Sequence, residues 1–315
     1  MSVDRVATAQ QSAFYLSQIN QAGARLDNTN KQIASGVVAD TYAGFGDQAQ
    51  TLQATLSAQA RNSAYTTATA MATTQADLQD TQLTSLSDLA AQLKKAVSDA
   101  VANNDPTGLM ATAGNVFSQA LSILNSKDAN GDYMYAGGKT DTAPVSINSL
   151  SQLVSAPSTA SIFTNGTSKK AVQVSDGQSI SFGITASDVG TGLMQALKDI
   201  ATFDAGGTGS FDTSTNLSQA QTNFLTAQIA STGTMSAGLT AITAQNGSVY
   251  NQLKNATDQQ GTTDTLYKSF VDNVQNTNMA QAATQLSLNQ TALQASLQVT
   301  STLNRLTLLN YLPNN

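Results

Sequence analysis

The 315-residue sequence has no histidine, no cysteine and no tryptophan. Those absences remove the commonest general base, the thiol nucleophile and the usual zinc ligands together. Carboxylate chemistry is all that is left, and the 20 acidic residues are scattered, with no close pair on a recognisable catalytic scaffold. The sequence therefore predicts no enzymatic activity, no metal and no cofactor. Without cysteine, stability must come from burial rather than disulfides, which suits a protein that leaves the cell without oxidative folding.

Charge is also sparse. Only 11% of residues are charged and the net charge is -6, so there is neither a basic footprint for nucleic acid nor a polybasic patch for a membrane. Met1 to Arg5 lacks a basic segment leading into an apolar core, and no run approaches the ~18 apolar residues of a membrane span. Secretion without a cleaved signal peptide is expected. Aromatics are 5%, too few for a large compact core, which favours an elongated body with a thin, shared seam.

Uncharged Ser, Thr, Asn and Gln mixed with Ala fill the space left by charge, giving helical surfaces with little like-charge repulsion between copies. Residues 3–34 have no proline and one glycine, and residues 262–312 have neither, so both ends read as long helices. Leu16, Ile19, Gly23, Leu26, Asn30 and Ile33 alternate spacings of three and four, a stripe that wants a partner helix. The C-terminal helix offers Leu288, Ala292, Ala295, Val299, Leu303 and Leu306 on one face and Leu286, Leu293 and Leu297 on another. Two apolar faces imply two neighbours. These are the chain's own N-terminal helix and another subunit, or two helices of one ordinary bundle; periodicity does not choose.

The middle of the chain carries the punctuation. Residues 131–209 hold eleven of the 21 glycines and two of the four prolines. Lys170 to Val174 and Ser179 to Ile184 alternate at a strand period about Asp176-Gly177, a hairpin turn. Tyr133-Met134-Tyr135 reads as a further strand after an Asn130-Gly131 turn. Residues 47–102 read as helix; Asp105 and Pro106 are placed to start the next one, which ends near Asn125. A second helical region runs from Asn216 to Leu312, with interruptions expected at Gly233, Gly238, Gly247 and Gly261. Unbroken, a helix of that length exceeds about 100 Å, so the subunit reads as a rod.

Four segments carry a resemblance. Gln32-Ile33-Ala34-Ser35-Gly36 resembles the N-terminal signature of the flagellin superfamily, although Asp40 to Gly46 stands where many members have paired aspartates before proline. Leu124 to Thr140, with Asn130-Gly131, the two tyrosines and Ala136-Gly137, is similar to the helix-to-strand passage of the hook-filament junction family within it. Val274 to Leu286 resembles the opening of the superfamily's C-terminal helix. Gln290 to Gln298, followed by Leu306 to Leu312, closes like junction proteins rather than filament flagellins. The resemblance covers both ends and the start of the insert, and hardly reaches residues 145–215.

The fold class expected is mainly α with a small β-rich insert, both chain ends forming an elongated, flagellin-like helical bundle or coiled coil. Residues 1–42 and 275–315 would be terminal coiled-coil helices, disordered in the monomer; 43–130 and 215–274 a helical rod; and 131–214 an outward-facing insert. The resemblance implies a structural subunit of the bacterial flagellum, exported unfolded by the flagellar type III system and assembled at the hook-filament junction, with filament flagellin as the alternative. Its implied partners are further copies in a ring, an adjacent hook-associated protein, filament flagellin and an export chaperone at the C-terminal helix. Subunit packing would fall to Leu16, Ile19, Leu26, Ile33, Leu286, Leu293, Leu297, Val299, Leu303 and Leu306. All four arginines, Arg5, Arg25, Arg61 and Arg305, lie in the terminal frame. Arg25 and Arg305 would make hydrogen bonds between subunits, or else solvate a helix face.

Overall fold

The computed structural model describes the backbone of residues 2–207 and 210–309, and the side chains of 10–207, 210–302 and Arg305. Its elements are α1 (Ser2–Ser35), α2 (Ala49–Asn103), α3 (Leu109–Leu124), α4 (Leu150–Ser155), β1 (Lys170–Ser175), β2 (Gln178–Phe182), α5 (Ala186–Ala205), α6 (Gln219–Gln275) and α7 (Met279–Leu309). Short 3-10 turns lie at Tyr42–Gln48, Thr159–Ile162 and Phe211–Thr213. Among the described residues, no helix is long and apolar enough to cross a membrane. The chain divides into two units: a terminal one, Met1–Arg61 with Asp264–Asn315, and a central one, Asn62–Thr263.

The central unit owns most of the core. On α2, Leu83, Leu86, Ala90, Leu93, Val97 and Ala100 recur at spacings of three and four and are buried, one stripe along the helix. They join Val116, Phe117 and Leu124 of α3, Leu193, Leu197 and Ile200 of α5, and Leu225 and Leu239 of α6. Phe203 stacks on Phe224, with ring centroids 4.1 Å apart. α5 starts at a reciprocal cap: Asp188 N donates to Thr185 Oγ1 (3.3 Å) and Thr185 N to Asp188 Oδ2 (3.2 Å), satisfying two otherwise orphaned amides. Gly190 of α5 is a close approach, since a Cβ there would lie 2.8 Å from Leu124 Cδ1.

The hairpin forms about Gly177, whose φ of 77° supplies the left-handed turn geometry that Asp-Gly favours. Val172 pairs with Ile180, and a smaller cluster gathers Val172, Val174, Ile180 and Phe182 against Ala72, Ala76 and Leu253 of α2 and α6. Gln260 Nε2 reinforces it, donating to Val174 O (2.7 Å) and Thr69 Oγ1 (3.0 Å). Tyr65 Oη, 2.7 Å from Asp176 Oδ1, ties the turn to α2.

Several local expectations change. Tyr133-Met134-Tyr135 is not a strand; one bridge, Lys127 to Tyr133, is followed by turns, and Tyr135 is wholly buried. Burial, not pairing, is the use of these aromatics. Helix outweighs strand within 131–214, since α5 alone has 20 residues against six and five in the strands. Asp105 does not cap α3. Its Oδ1 accepts from Thr107 N at 2.9 Å, closing a local turn, and left-handed Gly108 (φ 81°) precedes the helix. The glycines at 233, 238, 247 and 261 do not interrupt α6, because each stands in open space inside a helix whose neighbours hold it. The break comes instead at 276–278, where sequence shows neither glycine nor proline.

Candidate assembly surface

In the terminal unit α1 packs antiparallel on α7. The inward positions of α1 are Tyr15, Ile19, Ala22, Leu26, Thr29 and Ile33, and those of α7 are Ala282, Leu286, Asn289, Leu293, Ser296 and Thr300. Each row alternates spacings of three and four, the periodicity of a helix-pair seam. Toward the C-terminal end of α1 two buried polar residues of the seam meet: Asn289 Nδ2 donates to Thr29 Oγ1 at 3.0 Å. Thr29 Oγ1 donates in turn to Arg25 O at 2.9 Å.

A clip closes one end of the pair. Gly36 turns the chain at φ 74°, and Thr277 N donates to Gly36 O (2.8 Å) while Val38 N donates to Gln275 O (2.9 Å). Gln32 Nε2 adds a bond to Val38 O (2.9 Å). Asn278 opens α7 by accepting from Ala280 N and Gln281 N, both at 3.2 Å, the usual asparagine cap. Beside the clip lies a groove of about 620 Å³ whose lining residues, Gln32, Val38, Thr277 and Gln285 among them, carry no charge.

The structure divides the candidate packing residues. Ile19, Leu26, Ile33, Leu286 and Leu293 are half-buried between α1 and α7. Leu16, Leu297 and Val299 stand exposed, with Leu288 beside them at 59% exposure. The described side chains do not include Leu303 and Leu306. Arg25 and Arg305 are exposed, and all four arginines fall within the residues of the terminal unit. Thr29, Asn289 and the clip escaped the sequence reading; the Asn276-Thr277-Asn278 run was their available signal.

Apolar exposure is unevenly spread. Ten large apolar side chains stand exposed among the described residues, and eight of them are in the terminal unit: Phe14, Leu16, Tyr42, Leu266, Met279, Leu288, Leu297 and Val299. Among its described apolar residues, that unit buries only Leu52, Val274 and Ala282. Concentrated apolar exposure of this kind is characteristic of interaction surfaces. No group of three or more potential metal-ligating residues occurs among the described residues.

Comparison with known proteins agrees with this geometry. Residues 229–312 match the bacterial flagellin C-terminal helical region. Over 93 residues the chain is 33% identical to flagellar hook-associated protein 3 of Escherichia coli (strain K12), a match covering 28% of this chain and 29% of that relative. The chain thus spans less than a third of that relative's length. Its fold is shared with a Vibrio parahaemolyticus protein assigned as a flagellar hook-associated protein (TM-score 0.58, 16% identity, 72% of this chain and 97% of that one). The FlgL of Bacillus cereus is similar too (TM-score 0.52, 12% identity, 70% and 98%). Residues 229–312 are thus similar to the bacterial flagellin C-terminal helical region, and the chain shares the fold of FlgL-like hook-associated proteins.

Proposed function

We propose that this chain is an exported structural subunit of the bacterial flagellum, assembled at the hook-filament junction, and that it performs no catalysis. The observation that carries the reading is the terminal unit, where eight large apolar side chains, six of them on the α1–α7 pair, stand exposed. Neighbouring subunits would cover them, so that ordering of the ends and assembly are coupled, the free energy of one drawn from the other. Low charge, 11% of residues, keeps repulsion between packed copies small. The partners proposed are further copies in a ring, a neighbouring hook-associated protein, filament flagellin and an export chaperone that covers α7 before secretion through the type III channel.

Deletion of the gene tests the reading. The expected strain builds a hook but sheds filament subunits into the medium, and the intact chain restores attachment. A strain that keeps its filaments, or a purified chain that grows long tubes from seeds as a filament flagellin would, overturns it.

A further inference from the structure

Gln75, Gln79 and Gln82 follow one another along α2, at axial offsets of about 6 and 4.5 Å, on the side that meets Ser126 and Lys170. Gln79 is wholly buried, and neither its Nε2 nor its Oε1 reaches a hydrogen-bond partner in the protein. Gln75 Nε2 and Gln82 Oε1 are buried and unpartnered as well. Orphaned amide atoms of this kind are rare in folded proteins, because each forfeits its hydration without replacement.

The outer two amides have a fixed sense. Lys170 Nζ, which can only donate, lies 3.2 Å from Gln75 Oε1, so Nε2 is the free end of Gln75. The Ser126 hydroxyl donates to Met134 Sδ (3.9 Å), leaving its oxygen to accept from Gln82 Nε2 (3.1 Å). Oε1 is then the free end of Gln82. Gln79 between them offers a free acceptor and a free donor, so each gap along the row can have a donor on one side and an acceptor on the other. A water molecule, which both accepts and donates, matches each gap.

We propose that this row is a built site for two ordered internal waters. One accepts from Gln75 Nε2 and donates to Gln79 Oε1; the other accepts from Gln79 Nε2 and donates to Gln82 Oε1. The face of α2 toward Ser126 and Lys170 is therefore wet and polar along this row, between the apolar cluster of Ala72 and Ala76 with the hairpin and the apolar stripe that begins at Leu83.

The test is the sign of a substitution together with direct observation. Gln79→Leu keeps the volume and removes the bridge. If waters complete the row, the full-length variant unfolds at a lower temperature than the parent, with its denaturation midpoint shifted down. A variant more stable than the parent means that the amide was a true orphan and overturns the proposal. A high-resolution crystal structure of the parent chain should show both waters between the amides. Direct amide-to-amide hydrogen bonds with no water between them would overturn it as well.

Discussion

Asn289 Nδ2 and Thr29 Oγ1 meet at 3.0 Å across the α1–α7 seam, 260 residues apart in the chain. Both side chains are buried, and a buried polar pair in a helix seam favours one register over its neighbours, since a slipped pair would strand both groups. Asn289→Ala is expected to weaken the pair by about 1 kcal/mol. Hydrogen exchange at the α1 amides around Thr29 should quicken by roughly fivefold, the equivalent of that energy; unchanged protection would show that the bond contributes nothing.

The exposed residues of α7 should behave in the opposite way. Leu288 and Leu297 are 59% and 51% exposed, so a double Leu288→Asp, Leu297→Asp change should move thermal stability of the isolated chain by about 0.5 kcal/mol or less. Incorporation into the flagellum should nevertheless fail, scored by filament attachment in a deletion strain. Normal attachment would remove these residues from any subunit interface. Arg305→Ala, tested in the same strain, separates a subunit contact from a merely solvated guanidinium: only the former loses attachment.

Periodicity revealed the helices at both chain ends, the hairpin and the helix ending near Asn125, because each rests on local chemistry. The seam was legible only in part. Ile19, Leu26 and Ile33 are in it, but Leu16 faces out and its neighbour Tyr15 faces in; the true row includes Ala22 and Thr29, which a search for large apolar side chains passes over. Similarly, four glycines suggested breaks in α6 that tertiary packing overrides, whereas the actual break at 276–278 is marked only by an asparagine cap. Tyr133 to Tyr135 has strand composition, yet its backbone bonds go to turns and to Ser126 O and Thr140 O.

Gly190 tests the tight packing of the central unit. A Cβ at that position would lie 2.8 Å from Leu124 Cδ1 and 3.1 Å from Phe163 Cζ, and both neighbours pack in the core. Gly190→Val adds still more volume and is expected to destabilise by about 1–3 kcal/mol, seen as a lower midpoint in urea. Gly233→Ala is the control: its Cβ meets nothing within 4 Å, and replacing a helical glycine should stabilise by about 0.5–1 kcal/mol.

The absence of histidine and cysteine leaves no side chain whose ordinary titration falls near neutrality. Asp264 is held below its usual 3.8 by hydrogen bonds from Lys268 and Gln59. Its contribution to stability is present above the ordinary carboxylate range and is lost as pH falls through the lowered value. Lys268 is held above its usual 10.5 by the bond to Asp264, so its contribution is present below that value and lost only as pH rises beyond the raised one. Burial pushes the Tyr135 phenol upward from 10.0; above pH ~10 the unfolded chain therefore ionises this group more readily, which favours unfolding. The melting temperature should consequently stay level from about pH 5.5 to 9 and fall on both sides. Because Tyr135 Oη is buried without a partner, Tyr135→Phe should flatten the alkaline fall without lowering the plateau. A steep change near pH 6.5, or an alkaline fall identical in the variant, would contradict this assignment of the groups that titrate.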